Sequence, residues 1–113
     1  MTTPLLDTKT LERVLDEFAE ARNWRQFHSP KNLAMALTGE VGELVEIFQW
    51  RTEEASWRVA QDPATAEHVR QELADVALYL VRLASVLGVD LNAAIADKLI
   101  LNARKYPSSS AQE

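Results

Sequence analysis

The sequence predicts an all-α fold, and three observations carry this prediction. Only 3 glycines and 4 prolines interrupt the 113 residues, and no strand-like alternation of polar and apolar residues lasts more than a few positions. Apolar residues instead recur every three or four positions, which is the spacing of one helix face. We predict four helices in a single domain spanning residues 1–113, with flexible ends at residues 1–9 and 108–113.

The first half of the chain predicts two helices. The first runs from about Thr10 to about Asn23. Its apolar positions share one face: Leu11, Val14, Leu15 and Phe18. The second begins at Ser29 and Pro30, because serine caps a helix N-terminus and proline suits the first helical position. It runs to about Trp50, and its apolar stripe consists of Leu37, Val41, Leu44, Val45 and Phe48.

A loop and a third helix are predicted next. Residues 51–61 have no clean period, so we expect a loop there, with at most a short helical turn starting at Ser56. The pair Asp62 and Pro63 restarts the helical pattern. The third helix should end at Gly88, since glycine is favoured just past a helix C-terminus.

The fourth predicted helix follows Asp90, which can cap its N-terminus, and ends before Pro107. Four helices in so short a chain form a thin bundle, while 47% of the residues are apolar. Helix faces that one bundle cannot cover would pack against another subunit. We therefore expect a four-helix subunit assembled as a homodimer or homotetramer.

Composition excludes several kinds of chemistry. The chain has no cysteine, and therefore no disulfide, thiolate metal site or thiol nucleophile. A net charge of −5 argues against binding to nucleic acid polymers. No apolar run reaches the roughly 20 residues of a membrane span, and the start MTTPLLDTKT lacks the pattern of an export signal. We expect a cytoplasmic protein without a membrane partner.

Two pairs of acids are the main candidates for a functional site. Glu40 and Glu43 on the second helix, and Glu72 and Asp75 on the third, are each spaced three residues apart and beside the apolar stripe. Both pairs should point into the seam between the helices. Close carboxylates repel by roughly 3 kcal/mol at an effective dielectric near 20, and a divalent cation would relieve this. Oxygen ligands without cysteine or clustered histidine favour Mg²⁺, with Mn²⁺ as a substitute.

Aromatic residues continue these acidic stripes, but other interpretations stay open. Trp50 follows Glu43 by seven positions and Tyr79 follows Glu72 by seven, so a stacking surface would lie beside a metal-phosphate end, as a nucleotide requires. The acids can also be a solvated helix face and the aromatics an interface, which would make the chain a helical oligomerisation module. A di-iron oxidase normally needs Glu-x-x-His, and here Glu43 and Asp75 stand where the histidine would be.

The sequence resembles a known family. The segment FAEARNWRQFHSPKNLAMALTGEVGELVEIFQW at residues 18–50, followed by QELADVALYLVRLA and KLILNARKYP, is similar to the MazG-like all-α nucleoside triphosphate pyrophosphohydrolases, and in particular to their dCTP pyrophosphatase branch. The similarity extends from about Leu11 to Pro107. Its most specific parts are GEVGEL with FQW, and the E-x-x-E and E-x-x-D motifs separated by 28 residues.

This resemblance implies a function and a set of site residues. It implies Mg²⁺-dependent hydrolysis of a (deoxy)nucleoside triphosphate, dCTP or a similar nucleotide, to the monophosphate and pyrophosphate. The implied Mg²⁺ ligands are Glu40, Glu43, Glu72 and Asp75. The implied nucleotide-binding residues are Trp24, His28, Trp50, Tyr79, Lys98, Asn102, Lys105 and Tyr106, the last four acting on the triphosphate, often from another subunit. Leu15 stands where dCTP-type relatives carry histidine, and residues 51–61 have their own composition, which leaves the base preference open.

Overall fold

The computed structural model describes residues 3–108. Within them the chain forms five α-helices and one 3-10 turn, and no strand: α1 (Lys9–Ala21), the 3-10 turn (Arg25–Phe27), α2 (Pro30–Phe48), α3 (Glu53–Ser56), α4 (Ala66–Leu87) and α5 (Leu91–Lys105). The predicted all-α class is confirmed. The helix count is five and not four, because the segment predicted as a loop contains the short helix α3. Of the predicted flexible ends, residues 1–2 and 109–113 lie outside the described residues.

The predicted helix caps are present in the structure. The Ser29 side chain accepts a hydrogen bond from the backbone N–H of Asn32 at 3.1 Å, and the Asp90 side chain accepts one from Ala93 at 3.0 Å. Each satisfies a backbone donor that has no partner inside its helix. Gly88 ends α4 in the left-handed conformation, with φ +69°. These local signals set the bounds of α2, α4 and α5 within a few residues.

The region between α2 and α4 differs from the prediction. Thr52 caps α3 by accepting from the backbone N–H of Ala55 at 3.0 Å, and Ser56 ends this helix instead of starting one. Helix α4 begins at Ala66 and not at Pro63. The cause lies at Asp62, whose side chain accepts from the backbone N–H of Ala64 at 2.9 Å. This side-chain turn competes with helix formation and delays the start of α4.

Helix α2 packs along α4, and this contact forms most of the core, while α1 contacts α4 less extensively. The buried apolar residues are few: Ala19, Leu33, Ile47, Val59, Val69, Val81 and Ala84. The apolar stripe that helical spacing gives α4 includes Leu73 and Leu87, and both are 54% exposed. The helix pattern was right, but a single chain does not bury that face.

Helix α5 extends from the rest of the chain. It contains no buried residue, and its Leu99, Ile100 and Leu101 are each more than half exposed. At its start, the Asn92 side chain accepts hydrogen bonds from the backbone N–H groups of Leu5 and Leu6 at 2.8 and 3.1 Å. The radius of gyration is 17.5 Å, whereas about 13 Å is usual for a compact domain of this length. The chain is therefore open and leaves apolar surface uncovered.

Within residues 3–108 no single helix combines the length and the apolar character of a membrane span. Only α4 and α5 taken together meet that test, and they are bent by 102° at the break between them.

Candidate active site

Three carboxylates converge where α2 packs on α4. One oxygen each of Glu40, Glu43 and Glu72 lies within 4.8 Å of the other two, and we call these residues the acidic cluster. Glu40 and Glu43 meet Glu72 because their spacing places them on the same face of α2. Asp75 lies one turn after Glu72 on α4, and its charge acts on both Glu40 and Glu72. The four predicted acids therefore share one region.

Two carboxylates of the acidic cluster have raised pKa values. Burial raises the pKa of Glu40 from its ordinary value of 4.5 to about 7, with further contributions from Glu72, Glu43 and Asp75. Burial also raises the pKa of Glu72, which is only 7% exposed, and the charges of Glu43 and Asp75 act in the same direction. Without a counter-charge, Glu40 is therefore partly protonated close to neutral pH, and the ionised form of Glu72 is disfavoured in the same way.

The donor atoms of the acidic cluster suit a hard divalent cation. Among the described residues, the buried Oε2 atoms of Glu40 and Glu72 have no hydrogen-bond partner. Buried carboxylate oxygens are costly unless they are paired or bind a metal. The other Glu72 oxygen, Oε1, faces His68 Nε2 at 3.6 Å. Oxygens around one Mg²⁺ lie about 3–4 Å apart, so small side-chain rotations would close the 4.8 Å cluster around an ion.

An aromatic cleft adjoins these acids. Its volume is about 160 Å³, and it is lined by Leu15, Phe18, Trp24, His28, Leu33, Asp75, Leu78, Tyr79 and Arg82. Trp24 packs edge-on against Phe18, with ring centroids 5.7 Å apart, and its centroid is 6.4 Å from that of His28. Asp75 belongs both to the cleft and to the surroundings of the acidic cluster. A flat ring in the cleft would therefore lie close to these carboxylates.

The chain segment carrying Trp24 and His28 is fixed to α1. Asn23 takes a left-handed backbone conformation with φ +58°, and the backbone N–H of Trp24 donates to the Ala19 carbonyl at 2.8 Å. The Arg25 guanidinium pairs with Asp16 and, at 3.2 Å, with Glu20. These contacts hold the aromatic wall of the cleft in place.

Two charged residues of this region were not predicted. Arg82 is 6% exposed and lines the cleft, and it contacts His28 and Asp16. A charged residue inside the apolar run YLVRLA was a signal for Arg82, because a buried cation normally has a specific partner. Nothing local distinguished Asp16 from the other acids of α1.

Several predicted nucleotide-binding residues lie elsewhere. Trp50 is 89% exposed and does not line the cleft. The predicted residues of α5 and its end also lie outside both the cleft and the acidic cluster: Lys98, Asn102, Lys105 and Tyr106. Gly39 and Gly42 face open space, since a Cβ added at either would meet no atom within 4 Å beyond its own helix backbone. One chain therefore gathers Trp24, His28, Asp75 and Tyr79 in the cleft, but not Trp50 or the four predicted residues of α5 and its end.

Comparison with known proteins agrees with this architecture. The model of the MazG-like family matches residues 36–113. The chain belongs to the MazG-like family. This match contains all four acids, and it confirms the family resemblance inferred from the sequence.

Individual relatives refine the comparison. The chain is 44% identical to human (Homo sapiens) dCTP pyrophosphatase 1 over 102 residues, covering 90% of this chain and 60% of that protein. It is 45% identical to the Bos taurus dCTP pyrophosphatase 1 over 97 residues, covering 86% and 57%. It thus spans about 60% of the length of the curated relatives it matches. The crystal structure of a pyrophosphatase from Archaeoglobus fulgidus has a TM-score of 0.82 and 36% identity, covering 96% of this chain and 99% of that one.

Proposed function

We propose that this MazG-like protein is a Mg²⁺-dependent nucleoside triphosphate pyrophosphohydrolase. It would cleave dCTP, or a modified dCTP-like nucleotide, between the α- and β-phosphates, giving the monophosphate and pyrophosphate. The observation that carries this proposal is the pair of buried, unpartnered oxygens of Glu40 and Glu72 beside an aromatic cleft. The relatives named dCTP pyrophosphatase 1 and the neighbour named a pyrophosphatase support the reaction and the base.

The proposed site has a metal end and a base end. Glu40, Glu43, Glu72 and Asp75 would hold Mg²⁺, with Mn²⁺ as a substitute, which supplies neutralisation of phosphate charge and a water of lowered pKa. Glu40 or Glu43 would orient that water and take its proton. The apolar walls of the cleft would bind the base and exclude water from it. A base stacked on Trp24 would place the phosphates toward Asp75.

A second copy of the chain would complete the site. The exposed apolar residues of α5 and the open shape favour a homodimer or homotetramer. In such an assembly the residues that one chain leaves far from the cleft would act on the nucleotide of a partner: Trp50, Lys98, Asn102, Lys105 and Tyr106. Cationic groups there would balance triphosphate charge. A cytoplasmic location, and the absence of nucleic acid polymer and membrane partners, stay predictions.

The position of bond cleavage tests the reaction. Hydrolysis of dCTP in ¹⁸O-water with Mg²⁺ should place the label in dCMP and leave pyrophosphate unlabelled, because the water attacks the α-phosphorus. Glu72→Gln, which changes one buried ligand with little change in shape, should remove most turnover. Glu67→Gln on the exposed side of α4 is the matched control and should retain it. Label in pyrophosphate, or release of orthophosphate, would refute the proposal.

A further inference from the structure

A buried arginine links the cleft to α1. Arg82 on α4 donates from Nε to His28 Nδ1 at 3.1 Å and from Nη1 to Asp16 Oδ1 at 3.2 Å. Hydrogen bonds from Arg82 and Arg25 lower the pKa of Asp16, so this carboxylate is charged at neutral pH. The network holds the guanidinium in one place, although α1, the segment before α2 and α4 are far apart in sequence.

This geometry fixes the protonation pattern of His28. An arginine N–H can only donate, so Nδ1 of His28 must be the unprotonated acceptor. Burial and the charge of Arg82 lower the pKa of His28, which keeps the ring neutral near pH 7. A neutral imidazole with a free Nδ1 carries its proton on Nε2. No described residue hydrogen-bonds to Nε2, and His28 lines the cleft.

A histidine held in one tautomer can distinguish bases that a histidine free to change its tautomer cannot. Cytosine has an unprotonated acceptor at ring position N3, whereas thymine and uracil carry N3–H, a donor. A histidine that can exchange tautomers accommodates either, but one held with its proton on Nε2 pairs with the acceptor and opposes the donor. The Tyr79 hydroxyl in the same cleft can donate or accept, so it does not make this distinction.

We propose that Arg82, anchored by Asp16, is a positioning residue that holds His28 as an Nε2–H donor, so that the cleft favours a pyrimidine with an acceptor at N3 over one with N3–H. The inference rests on the proposed function to the extent that a nucleotide base occupies the cleft. It adds a specificity role for two residues, Arg82 and Asp16, that do not touch the reacting phosphates.

Two substitutions separate the roles of Arg82 and His28. Arg82→Met removes the donor to Nδ1, while Asp16 keeps its ion pair with Arg25. His28→Asn keeps an acceptor oxygen near the position of Nδ1, so Arg82 retains a partner, but it deletes the Nε2–H donor. Because the two variants disturb the buried pair differently, a folding defect in one does not remove the test. Circular dichroism and thermal melts establish that each is folded.

Two measurements should be made on each protein. The first is the ratio of kcat/KM for dCTP to that for dTTP, with Mg²⁺. Since two donors that face each other in the half-buried cleft both lose a hydrogen bond, wild type should favour dCTP by about tenfold or more, and both variants should lose about tenfold in this ratio. In Arg82→Met, the loss for dCTP should appear mainly as a higher KM and less as a lower kcat, since the change affects contacts to the base and not to the phosphates.

The second measurement is the tautomer itself, from side-chain ¹⁵N chemical shifts in long-range ¹H–¹⁵N spectra. The chain has 2 histidines, so the His28 signals are identified by their loss in His28→Asn. Wild type should show Nε2 protonated and Nδ1 unprotonated, and Arg82→Met should show a tautomer mixture. A merely structural role of Arg82 would not produce this change.

The outcomes separate the two proposals. If wild type hydrolyses dCTP and dTTP equally, if the ratio survives in Arg82→Met, or if Nδ1 carries the proton in wild type, the inference is wrong and the proposed function stands. If wild type hydrolyses no nucleoside triphosphate, the proposed function fails and takes the inference with it.

Discussion

The variant Glu43→Gln should be more stable than wild type without metal, and less stable than wild type when Mg²⁺ is present. Two unit charges within 4.8 Å of each other repel by about 3.5 kcal/mol or more at an effective dielectric of about 20. Glu43 is exposed, so solvent and salt reduce this to about 1 kcal/mol. Glu43→Gln should therefore melt about 4 °C higher than wild type in EDTA. The gain should be largest at pH 8, where Glu40, with its pKa of about 7, is mostly ionised.

Saturating Mg²⁺ should reverse this order. Only the folded state assembles the acidic cluster, so Mg²⁺ at 100 times Kd should raise the free energy of unfolding of wild type by about 2.7 kcal/mol. The variant should lose most of this stabilisation, because an amide is a poorer Mg²⁺ ligand than a carboxylate. The assay is a set of thermal melts at pH 8 in EDTA and across a Mg²⁺ series. Glu46→Gln is the control, since it makes the same change at an exposed position of α2 outside the acidic cluster.

The two variants must differ for the reasoning to hold. Glu46→Gln should melt within about 1 °C of wild type in EDTA and follow wild type across the Mg²⁺ series. If Glu43→Gln behaves like Glu46→Gln in both conditions, Glu43 is a solvated surface acid and takes no part in metal binding.

Three further results are expected. In EDTA, the free energy of unfolding of wild type relative to Glu40→Gln should fall as pH rises from 4.5 to about 7, because folding raises the pKa of Glu40 over that interval. The comparison with Glu40→Gln is needed because burial lowers the pKa of His28, which changes stability with pH in the opposite direction. A difference that does not change with pH would contradict the raised pKa of Glu40. Trp50→Ala should raise KM and weaken base preference, whereas Trp57→Ala, at a similarly exposed aromatic, should not; equal effects would assign Trp50 to packing. Light scattering should give two or four times 12.7 kDa, and a monomer that turns over substrate fully would exclude a shared site.

The sequence determined those features of the fold that depend on neighbouring residues. Helical periodicity and scarce glycine and proline predicted the all-α class, and the caps at Ser29, Asp90 and Gly88 were each predicted from a few adjacent positions. The same local geometry placed Glu40 and Glu43 on one face of α2. Where a local signal was missed, as at the Asp62 turn, the predicted start of α4 was wrong by a few residues.

The tertiary structure decided which helix faces meet. Periodicity defines a helix face but not its partner, so it did not reveal that Leu73 and Leu87 stay exposed in one chain or that Trp50 lies outside the cleft. The Arg82 contacts join residues 54 and 66 positions apart, and only the packing of α1 and of the segment before α2 against α4 brings them within hydrogen-bond distance. The pKa of Glu40 has the same origin, because burial and facing charges from another helix exist only after the chain has folded.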